Sequence, residues 1–315
     1  MRQRWWMWLA AFLTTMGMCA VSACSGSGTR PERGPPGPGT SSTVGAPVLV
    51  AKIDNSPQAR PPVGLGAADV VYVEPVEGGL SRLAAVFSTD KPPVIGPVRS
   101  ARETDLTLLA QFGDPTLASS GAAPELVASV DRASLQNASA ERQPGAYFRD
   151  YSRVAPHNMF VYSDQLPVGG GWPQASQLRF GPTPAGGEPT QHQEARYPAT
   201  TIGFDWSPGQ NQWLVSMDGA PYTATDIGRV VAGTVVLQSV QVHDSAVSDI
   251  AGSVSPLVET TGSGQALVLR DGLAFPAEWS RPSLQAGTTY TTPAGAAIPF
   301  APGQVWTVLV PAQLW

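Results

Sequence analysis

The sequence predicts an α/β (α+β) N-terminal domain with a mixed sheet, followed by a smaller antiparallel all-β C-terminal domain. Two observations carry that prediction. Up to about residue 190, short apolar runs alternate with stretches of helical period, the pattern of interleaved strands and helices. From about residue 196 only alternating runs remain, each closed by Gly, Pro, Asp or Asn, with no helical pattern between them. Hydrophobic residues make up 42% of the 315-residue chain, enough to bury one large or two ordinary cores.

Residues 1–23 read as an export signal. Arg2 and Arg4 form a basic start, an apolar stretch runs from Trp5 to about Ala20, and small residues lead up to Cys24. The stretch falls short of the ~20 residues needed to span a bilayer. Val21-Ser22-Ala23 before Cys24 has the form of a lipobox, which makes Cys24 the expected lipidation site. The alternative is a secretory signal cut after a small residue, with Cys24 an ordinary thiol. Cys19 falls inside the leader and Cys24 is the only other cysteine, so the mature chain forms no internal disulfide. Residues 24–46 are rich in Gly, Pro, Ser and Thr and read as a disordered tether, roughly 70 Å long if fully extended at ~3.3 Å per residue. A lipid on Cys24 would hold the body of the protein at the extracytoplasmic face of the cell membrane.

Taking Arg2 and Arg4 from the 19 basic residues leaves 17 against 24 acidic ones, which argues against nucleic acid or an anionic lipid surface as the general partner. Lys52 and Lys91 are the only lysines, so the positions of the arginines say more than their number.

The α/β domain is expected over 47–190. "PVLVAKIDNS" is an apolar strand stopped by the turn formers Asp54, Asn55, Ser56 and Pro57. "ADVVYVEPVEG" and "SRLAAVFSTD" are two more strands, punctuated by Gly78-Gly79 and by Lys91-Pro92-Pro93, and "VIGPVRSA" is a fourth short extended run. The period then changes: Leu106, Leu109 and Ala110 recur at helical spacing, acids sit early, and Gly113 is placed as a C-cap, predicting a helix over 103–112. "PTLASSGA" reads as a buried strand and "APELVASVDRAS" as a second helix, opened by Pro and Glu. Residues 164–195, dominated by Pro, Gly and Gln, form a link. The β-rich domain occupies 196–315. It carries Trp206, Trp213, Trp279, Trp306 and Trp315, mostly within strand patterns that favour packing over carbohydrate stacking.

"KIDNSPQARPPVGLGAADVVYVEPVEGGLSRLAAVF", "IGPVRSAR" and "RVAPHNMF" resemble the N-terminal signature of the YerB-type lipoproteins, a two-domain bacterial envelope family. "GQALVLRDGLAFPAEWSRP" and "PGQVWTVLVP" resemble its C-terminal domain, so the similarity runs from Val48 to Pro311. The resemblance implies a location and an architecture. It lends no chemistry, because the function of that family is unknown.

The segment "EGGLSRLAAVFSTDKPPVIGPVRSARE" puts Arg82, Arg99 and Arg102 among Val, Ile, Ala and Phe. If "SRLAAVF" and "VIGPVRS" are neighbouring strands, Arg82 faces away from Leu83 and Arg99 ends its strand just before the helix. An anion at that helix start would then meet the guanidinium forks of Arg99 and Arg102, with Ser100 and Thr104 as hydroxyl donors. The competing expectation is a polar seam in which the arginines pair with Glu74, Glu77, Asp69 or Asp105. Asp54 and Asn55, with Arg60, fall at a strand end, either as site residues or as an Asx turn. Arg153 and His157 in "RDYSRVAPHNMF" are a further pair, His157 serving either as acid or phosphate donor or as a structural histidine.

With three histidines, no HExxH and no cysteine pair, no zinc site and no cofactor is predicted. An oxygen-ligand Mg²⁺ or Ca²⁺ site from Asp54, Asp69 or Asp105 stays open. No GxSxG, P-loop or SxxK supports an esterase, NTPase or penicillin-binding reading. "ADVVYV", a strand and "IGPVRS" are also similar in layout to the LytR-CpsA-Psr phosphotransferases, which implies Asp69 and Arg99 facing a pyrophosphate. That family's motif continues Pro-Arg-Asp, whereas Ser100 follows Arg99 here.

The expected function is therefore that of a membrane-anchored envelope lipoprotein whose N-terminal domain binds a phosphate- or carboxylate-bearing ligand or envelope partner. The candidate residues are Arg82, Arg99, Ser100, Arg102, Asp54, Asn55, Asp69, Arg153 and His157. The alternatives are a phosphotransferase or hydrolase acting on polyprenyl-phosphate-linked cell-wall precursors, and a non-catalytic scaffold.

Overall fold

The structure, a computed structural model, describes residues 43–248 and 252–315. The export signal, Cys24 and residues 25–42 of the tether lie outside the described residues. In chain order the first half contains β1 (Leu49–Asp54), β2 (Val70–Pro75), β3 (Ser81–Phe87), β4 (Val94–Ile95), α1 (Glu103–Leu108), β5 (Thr116–Ala118), α2 (Pro124–Val130), β6 (Gln136–Asn137), β7 (Tyr147–Arg149) and β8 (Met159–Tyr162). The connecting region holds β9 (Glu188–Pro189). The second half begins with β10 (His192–Tyr197), β11 (Thr200–Ser207), β12 (Gln212–Met217), β13 (Ala220–Pro221), β14 (Thr223–Ala224), β15 (Gly228–Arg229) and β16 (Val231–Ala232). It ends with β17 (Thr234–Val240), β18 (Val242–Ser248), β19 (Val254–Val258), β20 (Gly262–Arg270), β21 (Leu273–Arg281), β22 (Thr289–Thr291) and β23 (Val305–Pro311).

The main sheet has 11 strands in the order β22-β21-β20-β17-β23-β2-β3-β1-β5-β6, with β9 added beside β21. Both halves of the chain build it. β23, the last strand, lies parallel to β17 on one side and parallel to β2 on the other. The C-terminal half is thus not purely antiparallel, as its short alternating runs suggested, and its sheet continues into that of the N-terminal half. Period-two alternation identifies a strand but carries no information on which distant strand will lie beside it.

β1, β2 and β3 are buried along their whole length, which is why they read as continuous apolar runs. On one face Val48, Val50, Val70, Tyr72, Ala84 and Val86 pack under the two helices, against Leu108, Leu109, Phe112, Leu126 and Val130. On the other, Leu49, Ile53, Val71, Val73, Leu83 and Phe87 pack on Ile202, Phe204, Trp213 and Val215 from the sheet of β10–β12. Each such side chain contributes about 1.5–3 kcal/mol on full burial. Toward one end of the strands the helix-side face turns polar: Asp54 is registered with Arg82, and Arg82 with Glu74, while Lys52 precedes them by one turn of the pleat.

"VIGPVRS" does not neighbour "SRLAAVF". β4 pairs with β8 in a separate three-stranded sheet, and Pro97–Arg99 then runs along the opposite edge of β1, where the Arg99 amide donates to the Lys52 carbonyl at 2.8 Å. β3 has no free edge to receive it, since β1 and β2 flank it. Gly96 makes the crossing possible: a Cβ there would meet the Phe160 ring at 2.6 Å. The expected helix over 103–112 is a six-residue α-helix continued by a 3-10 turn, Leu109–Phe112. Residues 43–46, assigned to the tether, are already tied down, with the Gly45 amide donating to Trp172 and the Trp172 amide to Ala46. Among the described residues no helix is long and apolar enough to cross a membrane. Trp213, Trp279 and Trp306 are buried, and Trp315 is exposed.

Candidate functional site

Beyond the polar end of β1–β3 the fold leaves a cleft of about 880 Å³. Arg82, Arg99, Ser100 and Arg102 line it, with Glu103 from α1 and Glu125 from α2. Ala122, Ala123 and Leu126 form an apolar wall, and Val247, Ser248 and Ser255 from the β18–β19 ribbon close the far side. The ribbon is held over α1 by side chains: the Val258 amide donates to Thr104 Oγ1 and Thr260 Oγ1 donates to Thr107 Oγ1. A second-half element therefore completes a site whose charges come from the first half.

The three arginines are not equivalent. Arg102 grips Glu77 with both forks, Nε to Oε1 at 2.7 Å and Nη2 to Oε2 at 2.9 Å, and gives Nη1 to the Ala101 carbonyl. Burial pushes the Glu77 carboxyl up, but the bonds from Arg102 and from the Ser255 hydroxyl outweigh it and hold the acid down at about 2. Arg102 is spent on this pair. Arg82 is nearly as buried, yet among the described residues it makes one hydrogen bond, Nη1 to the Ser100 carbonyl at 3.0 Å, and its Nη2 stands 3.9 Å from Glu77. Burial first, then repulsion by Arg102 and Arg99, lowers its pKa to about 10, with Glu77 pulling the other way. Arg99 is partly exposed, and its Nε lies 3.3 Å from Asp54 Oδ2.

At the helix start the Arg102 amide donates to Asp105 Oδ2 at 2.7 Å and the Thr104 hydroxyl accepts from the Val258 amide, so an acid of the chain itself already sits at the N-cap. Asp105 also approaches Lys52, whose Nζ lies 2.6 Å from Glu74 Oε2 and 2.8 Å from Asp105 Oδ1, all three side chains being inaccessible. Two acids around one lysine leave an excess of negative charge. Burial, and next the charge of Asp105, raise Glu74 to about 7 despite Lys52.

Asp54, Ser56 and His157 come together beside Arg99, outside the cleft lining. Asp54 Oδ1 accepts from the Ser56 amide and hydroxyl, and Oδ2 lies 2.8 Å from His157 Nδ1. Burial raises the Asp54 carboxyl, but the Ser56 amide, His157 and the Ser56 hydroxyl together keep it below its ordinary value. The trio is not a catalytic relay as arranged: the Ser56 hydroxyl and Asp54 both meet Nδ1 of the same ring, whereas a relay needs them on opposite nitrogens.

The remaining expected site residues lie elsewhere. Asn55 is buried at the junction of the halves, its side chain bonded to Ser81, Met217 and Tyr222. Arg153 donates to the carbonyls of Ala59 and Pro61 and lies over Phe160. Asp69 sits at the opposite end of β2, where it accepts from the Ser88 and Thr89 amides and the Thr89 hydroxyl. Five residues of strand, about 17 Å at ~3.3 Å each, separate it from Glu74 and the arginines, so Asp69 and Arg99 do not face a shared pyrophosphate. Among the described residues no three His, Cys, Asp or Glu side chains are grouped to hold a metal ion. Sequence reasoning missed Glu125 and Ser255 as site residues. The Pro-Glu opening of α2 placed Glu125 at a helix start, and the alternating runs ending in "QVHD" and "SPLVETTG" marked strands without announcing that they fold over α1.

Fold and site define a protein of two regions built on one mixed sheet, with a basic-floored cleft where the regions meet. Residues 35–169 match the family model described as "Protein of unknown function (DUF3048) N-terminal domain" and residues 193–307 match the "Protein of unknown function (DUF3048) C-terminal domain". The chain is 24% identical over 278 residues to "Putative lipoprotein YerB" of Bacillus subtilis (strain 168), covering 84% of this chain and 81% of that one. It also shares its fold with the crystal structure of the YerB protein from Bacillus subtilis, with a TM-score of 0.71 at 21% identity over 85% of this chain and 92% of that one. The chain belongs to the YerB-type family of two-domain proteins.

Proposed function

We propose that the protein is a lipid-anchored envelope protein, held through Cys24 at the extracytoplasmic face of the membrane, which binds an anionic group in the cleft through Arg82 and Arg99. The lipobox before Cys24 and the lipoprotein name of its Bacillus relative support the anchor. Arg82 supports the site: a guanidinium about nine-tenths buried, with one hydrogen bond and its remaining donors at the floor of a cleft. Such a group lacks the partners that burial of charge demands, and a phosphate or carboxylate would supply them.

The test is thermal melting of the full chain in detergent with pyrophosphate and with N-acetylalanine, for wild type, Arg82→Gln and Arg99→Ala. A ligand present at a hundredfold excess over its Kd stabilises by ~2.7 kcal/mol, a readily measured shift. A rise in melting temperature that is lost in Arg99→Ala, while that variant alone melts like wild type, supports the reading. No rise with either anion, nor with a short peptide that bears a free carboxylate, overturns it.

A further inference from the structure

We propose that the cleft is built for a zwitterion, a short peptide with small side chains whose carboxylate meets Arg82 and Arg99 and whose ammonium meets Glu103 and Glu125. This rests on the anion-binding reading and names the ligand class of the same cleft.

The two acids are the reason. Glu103 lines the cleft from the first residue of α1, where its carboxylate accepts a hydrogen bond from the Ser245 hydroxyl, and no Lys, Arg or His side chain pairs with it among the described residues. Glu125, at the start of α2, is exposed, lines the same space and likewise has no cationic partner among the described residues. Arg82 and Arg99 thus offer free donors on the floor while two carboxylates without cations stand on the wall. A simple polyanion is drawn to the first pair and repelled by the second, whereas a ligand with opposite charges at its two ends is favoured by both. The rest of the lining includes the apolar side chains of Ala122, Ala123, Leu126 and Val247, which suit methyl-sized side chains. The volume, about 880 Å³, lies within the range of small-ligand sites.

The experiment is calorimetric titration of the full chain in detergent with trialanine, N-acetyl-trialanine, trialanine amide and inorganic pyrophosphate. Wild type is compared with Arg99→Ala, Glu125→Gln and the double variant Glu103→Gln/Glu125→Gln. The proposal expects trialanine to bind at least tenfold tighter than either blocked form. It expects Glu125→Gln, an exposed change that leaves folding intact, to narrow that gap, and the double variant to close it while tightening pyrophosphate. Equal or tighter binding of N-acetyl-trialanine or pyrophosphate, still dependent on Arg99, overturns the zwitterion and leaves the anion site standing. Absence of Arg99-dependent binding by all four probes overturns both.

Discussion

Arg281 and Arg82 are both buried arginines on the main sheet, and their surroundings are opposite. Arg281, in the β-rich half, meets no carboxylate among the described residues. It donates Nε to the Ala286 carbonyl, Nη1 to the Thr260 carbonyl and hydroxyl, and Nη2 to the carbonyls of Thr107 and Leu284, so both forks and the Nε edge are filled by neutral oxygens of the protein itself. Arg82, in the α/β half, has Glu77 nearby, yet makes one hydrogen bond among the described residues. The contrast teaches that charge neutralisation and donor satisfaction are separate requirements. Arg281 has its donor positions filled without an acid, whereas Arg82, beside an acid, lines a cleft with donors that no other hydrogen bond among the described residues takes.

The comparison predicts where stability resides. Arg281→Met orphans the backbone carbonyls of four residues that Arg281 ties together, from α1 to the loop after β21. At ~1 kcal/mol for each of the four carbonyls that loses its donor, one in a buried bond and three in partly buried ones, the loss is at most about 4 kcal/mol, read as a lowered denaturant midpoint. Arg102→Met comes next. It leaves Glu77 with the Ser255 hydroxyl, its own backbone amide and the more distant Arg82, and breaking a buried pair in this way costs about 3 kcal/mol. If Arg102→Met were silent, the bidentate pair would be ornamental and Arg102 would rejoin Arg82 and Arg99 as a ligand group.

The two buried acids sharpen the contrast through pH. Glu77 has a folded pKa of about 2, below its ordinary 4.5, so its contribution is present above pH 4.5 and is lost as pH falls toward 2. Glu74 has a folded pKa of about 7, above its ordinary 4.5, so the folded state holds a proton that the unfolded state releases; stability from this group is present below pH 4.5 and declines as pH rises toward 7. Chemical denaturation across this range is expected to show Glu77→Gln flattening the acid limb and Glu74→Gln flattening the decline between pH 4.5 and 7. A wild-type profile with no decline in that window would mean that Lys52 neutralises both of its acids.

Much of the first half was legible in the sequence because its information is local. The stops at Asp54-Asn55-Ser56-Pro57 and at Gly78-Gly79 end β1 and lie between β2 and β3, and alternation correctly put Arg82 on the face opposite Leu83. What stayed hidden is carried by contacts between residues far apart in the chain. β23 meets β2 across more than two hundred residues, and Lys52, Glu74 and Asp105 meet only once three elements have packed. Asp69 shows a subtler failure: its carboxylate looked available for a ligand, but the Ser88-Thr89 turn that consumes it is formed by the strand antiparallel to its own.

The smallest change in stability is expected at Arg99, and there the comparison can be broken most cleanly. Its contact with Asp54 is 3.3 Å at a partly exposed position, and Asp54 keeps Ser56 and His157 when Arg99 is removed. Exposed pairs of this kind contribute about 0–1 kcal/mol, so Arg99→Ala is expected to melt within a few degrees of wild type. If the cleft holds an anion as proposed, the effect on binding runs the other way, because Arg99 is the more accessible of the two arginines and a charge-assisted bond to the anion has no substitute once it is gone. A variant that folds normally and loses the ligand separates the two kinds of arginine in one molecule. A variant that unfolds instead would place Arg99 with Arg281, among the side chains that the fold itself requires.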